Sequence, residues 1–231
     1  MRTIGLIGGT SWHSTVEYYS TINQMINDIK GDRINPPLRL LNLSQKEIND
    51  FQAEGNWDAI TRIYIEASQD LIRAGAEAIL FCSNTAHHVY DAVSAKIEVP
   101  ILHIADATGK EAKKNNLNKL GLLGTVYTMD ESYIKGRLSK EFNLQTITPD
   151  KSAYKELARI IYDELAIGSI TAASKTFVIS EMEKLKNQGA EGIILGCTEF
   201  PLLVKSSDYD LTLFDTTYLH CKMATDFIVE Q

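Results

Sequence analysis

G-A-E-A-I-L-F-C-S-N-T (75–85) returns 114 positions later as G-A-E-G-I-I-L-G-C-T-E (189–199), and each copy follows a helix-like segment. Nearer the other end of each half, I-G-L-I-G (4–8) resembles L-G-L-L-G (120–124) at an offset of 116. V-P-I-L-H-I-A-D-A-T (99–108) and D-L-T-L-F-D-T-T (210–217) form a weaker third pair, each a strand followed by a helix start. Any two strand-turn-helix units look alike. The weight here comes from pairs in the same order at nearly half the chain length, which points to an internal duplication.

The runs between and around these pairs give the fold class. Short apolar segments at 3–7, 38–43, 78–82, 101–104, 120–124, 193–196 and 211–214 alternate with longer amphipathic ones, as parallel α/β units do. Ile60, Ile63, Ala67, Leu71 and Ala74 recur at helical spacing before Gly75, and Tyr154, Leu157, Ala158, Ile161 and Leu165 do so before Gly168, so both glycines are expected at helix C-termini. Ser14 with Glu17 and Thr128 with Glu131 match capping boxes just after a glycine-bearing strand. The expected architecture is α/β, with two pseudo-symmetric lobes, each a parallel sheet flanked by helices. Residues 1–98 plus 211–231 are assigned to the first lobe and 99–210 to the second. Ligands in such sheets bind at the carboxyl ends of the strands, which puts the expected site in the cleft between the lobes.

Composition narrows the function classes. The chain has 231 residues, 44% hydrophobic and 23% charged, with a formal net charge of −7 and three cysteines at 82, 197 and 221. Three thiols do not complete a disulfide framework, and Met1 leads into a strand-like run without a basic stretch and apolar core behind it. A cytoplasmic location is therefore expected. No apolar run approaches the ~18 residues that span a bilayer, and the acidic balance without basic clusters speaks against nucleic acid and anionic membranes. Small molecules and protein partners remain.

Aligning the two copies without gaps sets Ser83 opposite Cys197 and Cys82 opposite Gly196. Cys197 follows an apolar strand and precedes Thr198 and Glu199, where a helix start or a backbone nest lowers a thiol below its ordinary pKa of about 8.5. The bland alternative is a buried cysteine acting as a small hydrophobe. Cys82, still inside its apolar run, is expected in the core. Ser83, Asn84 and Thr85 suit a carboxylate or an ammonium group, and they equally suit a turn and helix cap. G-G-T-S (8–11) offers backbone N–H groups to an anion but lacks both nucleotide-binding glycine patterns. The five histidines and the cysteines show no zinc spacing, so no metal is expected. His220 is left open between lining the cleft and satisfying a core hydrogen bond.

Taken together, I-G-L-I-G-G-T-S-W-x-S-T-x-x-Y-Y at the start, G-A-E-A-I-L-F-C-S-N-T-A-H in the middle and G-A-E-G-I-I-L-G-C-T-E later resemble the aspartate/glutamate racemase family. L-L-G-T-x-Y-T-M (122–129) and F-D-T-T-x-x-H (214–220) extend the resemblance over essentially the whole chain. It implies a cofactor-independent amino-acid racemase, two pseudo-symmetric lobes and a homodimer. In that family two cysteines flank the substrate α-carbon, one removing the α-proton and the other returning a proton on the opposite face. The usual first motif has Cys directly before Asn-Thr; here that place is Ser83, which agrees with the internal alignment. The resemblance makes Cys197 the base toward the L enantiomer and Ser83 the donor on the other face, with slower D-to-L conversion. Around the developing enediolate, Asn84, Thr85, Thr125 and Thr198 are matched donors. The resemblance adds Thr10, Ser11, Gln52, Thr128 and Glu199, although Gln52 also fits an ordinary exposed helix position.

Where aspartate racemases tend to carry a basic residue, the segment I-Y-D-E-L-A-I-G has Ala166, which points away from a strict aspartate preference. No lysine stands at a strand end near these motifs, so pyridoxal phosphate is not expected and no cofactor is assigned. The competing readings are a hydantoin racemase or single-thiol isomerase of the same superfamily and a non-catalytic two-lobed amino-acid-binding protein.

Overall fold

A computed structural model describes residues 1–230. In chain order its strands are β1 (Ile4–Gly8), β2 (Leu38–Asn42), β3 (Ala78–Phe81), β4 (Ile101–Leu102), β5 (Lys119–Gly124), β6 (Gln145–Ile147), β7 (Gly192–Gly196) and β8 (Thr212–Asp215). The helices of the first half are α1 (Trp12–Lys30), α2 (Gln45–Ala53), α3 (Trp57–Arg73) and α4 (Tyr90–Ser94). They are followed by α5 (Ile104–Lys114), α6 (Val126–Asp130), α7 (Ser132–Phe142), α8 (Tyr154–Arg159), α9 (Ala172–Asn187), α10 (Phe200–Leu203) and α11 (Thr216–Val229). Among the described residues no helix is long and apolar enough to cross a membrane.

All strand pairs are parallel, in two sheets of the same order: β2-β1-β3-β4 and β6-β5-β7-β8. The central strands β1, β3 and β7 are buried along their whole length, which is why they read as continuous apolar runs and not as alternation. Two compact units result, residues 1–103 with 220–231 and residues 104–219. This division lies a few residues beyond the expected one at each junction, because β4 pairs with β3 and β8 pairs with β7. The weak third sequence pair thus marks the same edge of each sheet. β6 escaped notice because it has three residues, none of them buried.

The helix starts differ from expectation in an informative way. The caps are Ser11, accepting from the Ser14 N–H, and Thr125, accepting from the Thr128 N–H, each three residues ahead of the expected Ser14 and Thr128. Ser14 instead donates its hydroxyl to the Cys82 carbonyl at 2.9 Å. Ser11 and Thr125 stand 114 apart, like the later motif pair, whereas the preceding strands stand 116 apart. The difference is the pair Gly9-Thr10, which lengthens the β1–α1 loop where β5 passes straight from Gly124 to its cap. The expected helix ending at Gly168 is also subdivided: after α8 come a π-helical turn (Ile160–Glu164) and a 3₁₀ turn (Leu165–Ile167), closed by Gly168 at φ 77°.

In the first unit the core between β1, β3, α1 and the end of α11 holds Tyr18, Ile22, Cys82, Cys221 and Ile228. His220 is fully buried within it, with Nδ1 2.9 Å from the Tyr18 hydroxyl and Nε2 2.8 Å from the Leu102 carbonyl. Since the carbonyl only accepts, Nε2 carries the proton and Tyr18 donates to Nδ1. That settles the histidine as a core hydrogen-bonding residue. Burial, reinforced by the neighbouring His87, lowers its pKa to about 3, against the opposing effect of the Leu102 bond.

Two consequences are measurable. Below the unfolded-state value of about 6.5 the unfolded chain takes up a proton at His220 that the folded chain refuses, so stability falls as pH drops toward 3, by up to about 1.4 kcal/mol per pH unit. Urea midpoints between pH 7 and 4 should therefore fall less steeply in His220→Gln than in the parent chain; equal slopes would refute the assignment. Gly9, at φ 91°, has the Leu43 backbone where a Cβ would sit, whereas Gly75, at φ 92°, has open space. Gly9→Ala should cost well over the ~1–2 kcal/mol of left-handed backbone alone, and Gly75→Ala about that much, read from the same urea curves.

Candidate active site

The register of the sheets fixes which residues are equivalent. Ile7 pairs with Phe81 in the first unit, and its counterpart Leu123 pairs with Leu195 in the second. Two positions beyond Phe81 and Leu195 lie Ser83 and Cys197. Backbone pairing thus gives the same correspondence as the ungapped sequence alignment.

In the second unit Cys197 is the first residue after β7 and is 8% exposed. Its Sγ donates to Glu199 Oε2 at 2.9 Å, and the Thr198 hydroxyl donates to the same oxygen at 2.7 Å. Burial pushes the Cys197 thiol well above its ordinary range, and the Glu199 charge and hydrogen bond push the same way. Backbone N–H groups of Glu199 and Thr198 oppose this. The nest expected from the sequence is therefore present, but desolvation and a carboxylate outweigh it, and the resting sulfur is a thiol, not the expected thiolate.

On the adjacent strand Thr125 follows β5 and caps α6. Its Oγ1 lies 3.1 Å from that of Thr128, which in turn lies 3.1 Å from the Tyr133 hydroxyl. Thr128 is fully buried and its hydroxyl is engaged in this chain. One side chain coupled electrostatically to the thiol was not anticipated. Tyr162 on the π turn has its pKa raised to about 12, first by desolvation and then by electrostatic coupling to Cys197, Tyr127 and Glu199. Nothing in the apolar spacing marks either tyrosine, because Tyr162 sits beside the buried stripe and Tyr127 lies in a five-residue helix.

In the first unit Cys82 is fully buried in the core, as expected, and burial raises its pKa far above the ordinary thiol value. Ser83 is half-buried, and its carbonyl accepts from His87 Nδ1 at 3.0 Å. Asn84 is buried, and its carbonyl accepts the His87 N–H at 3.1 Å. Thr85 opens the 3₁₀ turn Thr85–Val89. The Ser-Asn-Thr segment therefore is the turn its composition suggests, held from behind by a buried histidine. Ser11 spends its side chain on the α1 cap, and Thr10 is half-buried with its hydroxyl beside the Tyr64 phenol. Gln52 is half-exposed near the end of α2. The structure brings Thr198 and Glu199 onto the Cys197 sulfur and joins Thr125 to Thr128; it places Thr10, Ser11 and Ser83–Thr85 at strand ends of the first sheet, with Gln52 on a helix.

Two parallel sheets of one order, each with its polar residues just past the carboxyl ends of its central strands, define a duplicated α/β protein. Residues 7–224 match the family described as Asp/Glu/Hydantoin racemase, and the chain belongs to that family. A Yersinia pestis structure provisionally described as an Asp/Glu racemase is 40% identical over the full length of both chains, with a TM-score of 0.95. An aspartate racemase homologue from Pyrococcus horikoshii is 34% identical, again over the full length of both, with a TM-score of 0.88. A curated glutamate racemase from Hydrogenobaculum is 27% identical over 60% of this chain and 52% of its own length. The chain spans about half the length of the curated relatives it matches.

Because Glu199 raises the Cys197 pKa, Glu199→Gln should lower it and increase the thiolate fraction near neutral pH. A downward shift of one unit makes thiolate about tenfold more abundant below both values. Alkylation of Cys197 by iodoacetamide at pH 7.5, with Cys197→Ser as the blank, should therefore accelerate in Glu199→Gln; an unchanged or slower rate would remove Glu199 from the control of this thiol.

Proposed function

We propose that this protein is a cofactor-independent amino-acid racemase of the aspartate/glutamate type with a broader substrate range, in which Cys197 removes the α-proton of the L enantiomer and Ser83 serves the opposite face. The observation that carries this is the Cys197–Glu199 pair just past β7, in a chain of the Asp/Glu/Hydantoin racemase family. Glu199 accepts the thiol proton, and the thiolate then takes the α-proton, leaving both groups protonated and a carbanion spread over the substrate carboxylate. Donors such as Thr125, Thr198, Asn84 and Thr85 are suited to that charge, with Thr10, Ser11, Gln52 and Thr128 as further binding or supporting residues. Ser83 gives its hydroxyl proton to the other face and is reprotonated from solvent.

A serine is a much poorer base than a thiol. The D-to-L direction is therefore slow in kcat, while the ratio of kcat/KM values stays bound by an equilibrium constant of one. The proposal includes a homodimer acting on a free amino acid in the cytoplasm, with no cofactor.

A second reading, a single-thiol isomerase or hydantoin racemase, is favoured by one observation: of the two equivalent positions only one holds a cysteine. A two-lobed binding protein without turnover is the third.

Incubation with L-aspartate, L-glutamate and a panel of other L-amino acids in D₂O, following loss of the α-proton signal and appearance of the D enantiomer, separates these. Exchange should occur without added cofactor and fall about 10²–10⁴-fold in Cys197→Ala. Ser83→Cys should raise kcat from the D enantiomer. No exchange with any amino acid would refute the racemase assignment, and exchange untouched by Cys197→Ala would refute the role given to that residue.

A further inference from the structure

We propose that His87 is a positioning residue for Ser83: its imidazole clamps the peptide that follows the serine and, together with Ser14 on the peptide before it, fixes the direction in which the hydroxyl leaves the strand end. This deepens the racemase assignment, on which its relevance to catalysis rests.

A side chain is aimed by the two peptide planes that flank its Cα, since these set φ and ψ and with them the Cα–Cβ direction. Around Ser83 both planes are held by side chains. In the plane before it, the Cys82 carbonyl accepts the Ser14 hydroxyl of α1 at 2.9 Å. In the plane after it, the Ser83 carbonyl accepts from His87 Nδ1 at 3.0 Å. The next carbonyl, of Asn84, accepts the His87 backbone N–H at 3.1 Å, so one residue ties down two successive carbonyls. Cys82 is itself fixed to β1, its N–H donating to the Ile7 carbonyl at 2.9 Å. Because a carbonyl only accepts, Nδ1 carries the proton in the bond to Ser83. The imidazole is 1% exposed, and its ring centroid lies 5.4 Å from that of Phe81, 4.5 Å from His103 and 5.6 Å from His220. Such packing leaves the ring little freedom to swing off the bond.

The second unit treats the equivalent place differently. At the offset of 114 that pairs Ser83 with Cys197, His87 falls on Pro201 and Ser14 on Thr128. Proline brings neither an imidazole nor a backbone donor, and the Thr128 hydroxyl is engaged with Thr125 and Tyr133. The Cys197 carbonyl accepts instead from the Phe200 backbone N–H at 3.2 Å, an ordinary turn bond. The imidazole clamp therefore belongs to the serine side alone, and the difference follows the chemistry assigned to the two positions. Serine is the weaker acid–base group, so its contribution rests more heavily on placement, and a displacement of about 1 Å at a reacting group lowers a rate by as much as about 10²-fold. A buried side-chain donor on the adjoining carbonyl supplies that placement without touching the hydroxyl.

The test uses the full chain with His87→Leu, which removes the donor, and two amides that place it differently. The amide nitrogen of His87→Asn reaches where Nδ1 stands, and that of His87→Gln where Nε2 stands. Two quantities are read. Amide hydrogen exchange resolved by peptide mass spectrometry follows residues 83–89 against β1 and β3. In D₂O, the ratio of D enantiomer formed to L substrate deuterated with retention reports delivery from the Ser83 face against turnover at Cys197. His87→Leu and His87→Gln should speed amide exchange in 83–89 and lower the ratio, each about tenfold, while His87→Asn stays near the parent in both. If His87→Leu does not fold, the contrast between Asn and Gln decides alone. Unmoved amide exchange in 83–89, Asn behaving as Gln does, or inversion and deuteration falling together at constant ratio would overturn the assignment. If the parent deuterates no amino acid, the racemase assignment is lost and the clamp is judged by amide exchange in 83–89. Deuteration by the parent with that segment unmoved in His87→Leu and His87→Gln removes the clamp and leaves the racemase assignment standing.

Discussion

Parallel pairing of the first and third strands of each unit is the constraint on which the remainder depends. In the second unit it sets Gly124 beside Gly196 and so brings the Thr125 cap and Cys197 to neighbouring places at one sheet edge. In the first it sets Ile7 beside Phe81, which fixes Ser83 as the position equivalent to Cys197. Hydrogen bonds between buried strands tolerate no slip, since a shift by one residue would turn every apolar side chain to the wrong face. The chemistry-bearing positions inherit that rigidity, although they themselves lie in turns.

Burial then decides the state of the sulfur. Two backbone N–H groups beyond the strand end act to lower the pKa of the thiol. Desolvation and the Glu199 carboxylate reverse the sign. The Cys197 thiol keeps its proton and donates it to the Glu199 carboxylate. Thr198 donates to the same carboxylate oxygen, so the state of the sulfur is a property of the group and not of the cysteine alone.

The sequence made the duplication and the sheet edges readable because β1, β3, β5 and β7 are nearly uniform apolar runs flanked by glycine, and because the second copy repeats the first in order. It also ranked the two cysteines of interest: Cys82 lies within an apolar run and is core, while Cys197 follows one and meets polar neighbours. What it hid was local. The helix caps are displaced by three residues because Ser-x-x-Ser and Thr-x-x-Thr offer two hydroxyls one turn apart, and composition does not say which is the cap and which packs beneath it. The π turn at Ile160–Glu164 is invisible because an added residue does not disturb the apolar spacing enough to break the pattern. The direction of the Cys197 shift is set first by burial and then by a carboxylate two residues away whose side chain folds back, matters of packing and rotamer and not of spacing.

A sulfur kept protonated is also a durable one. Oxidants convert thiolates, not thiols, to sulfenic acid and onward to states that reducing systems do not reverse. By lending its charge to keep the proton on Cys197, Glu199 keeps the one thiol beside this polar strand end off the first rung of that ladder. The same burial and carboxylate that raise the barrier to ionisation thereby protect the sulfur chemically, at a strand end whose counterpart in the other sheet carries Ser83.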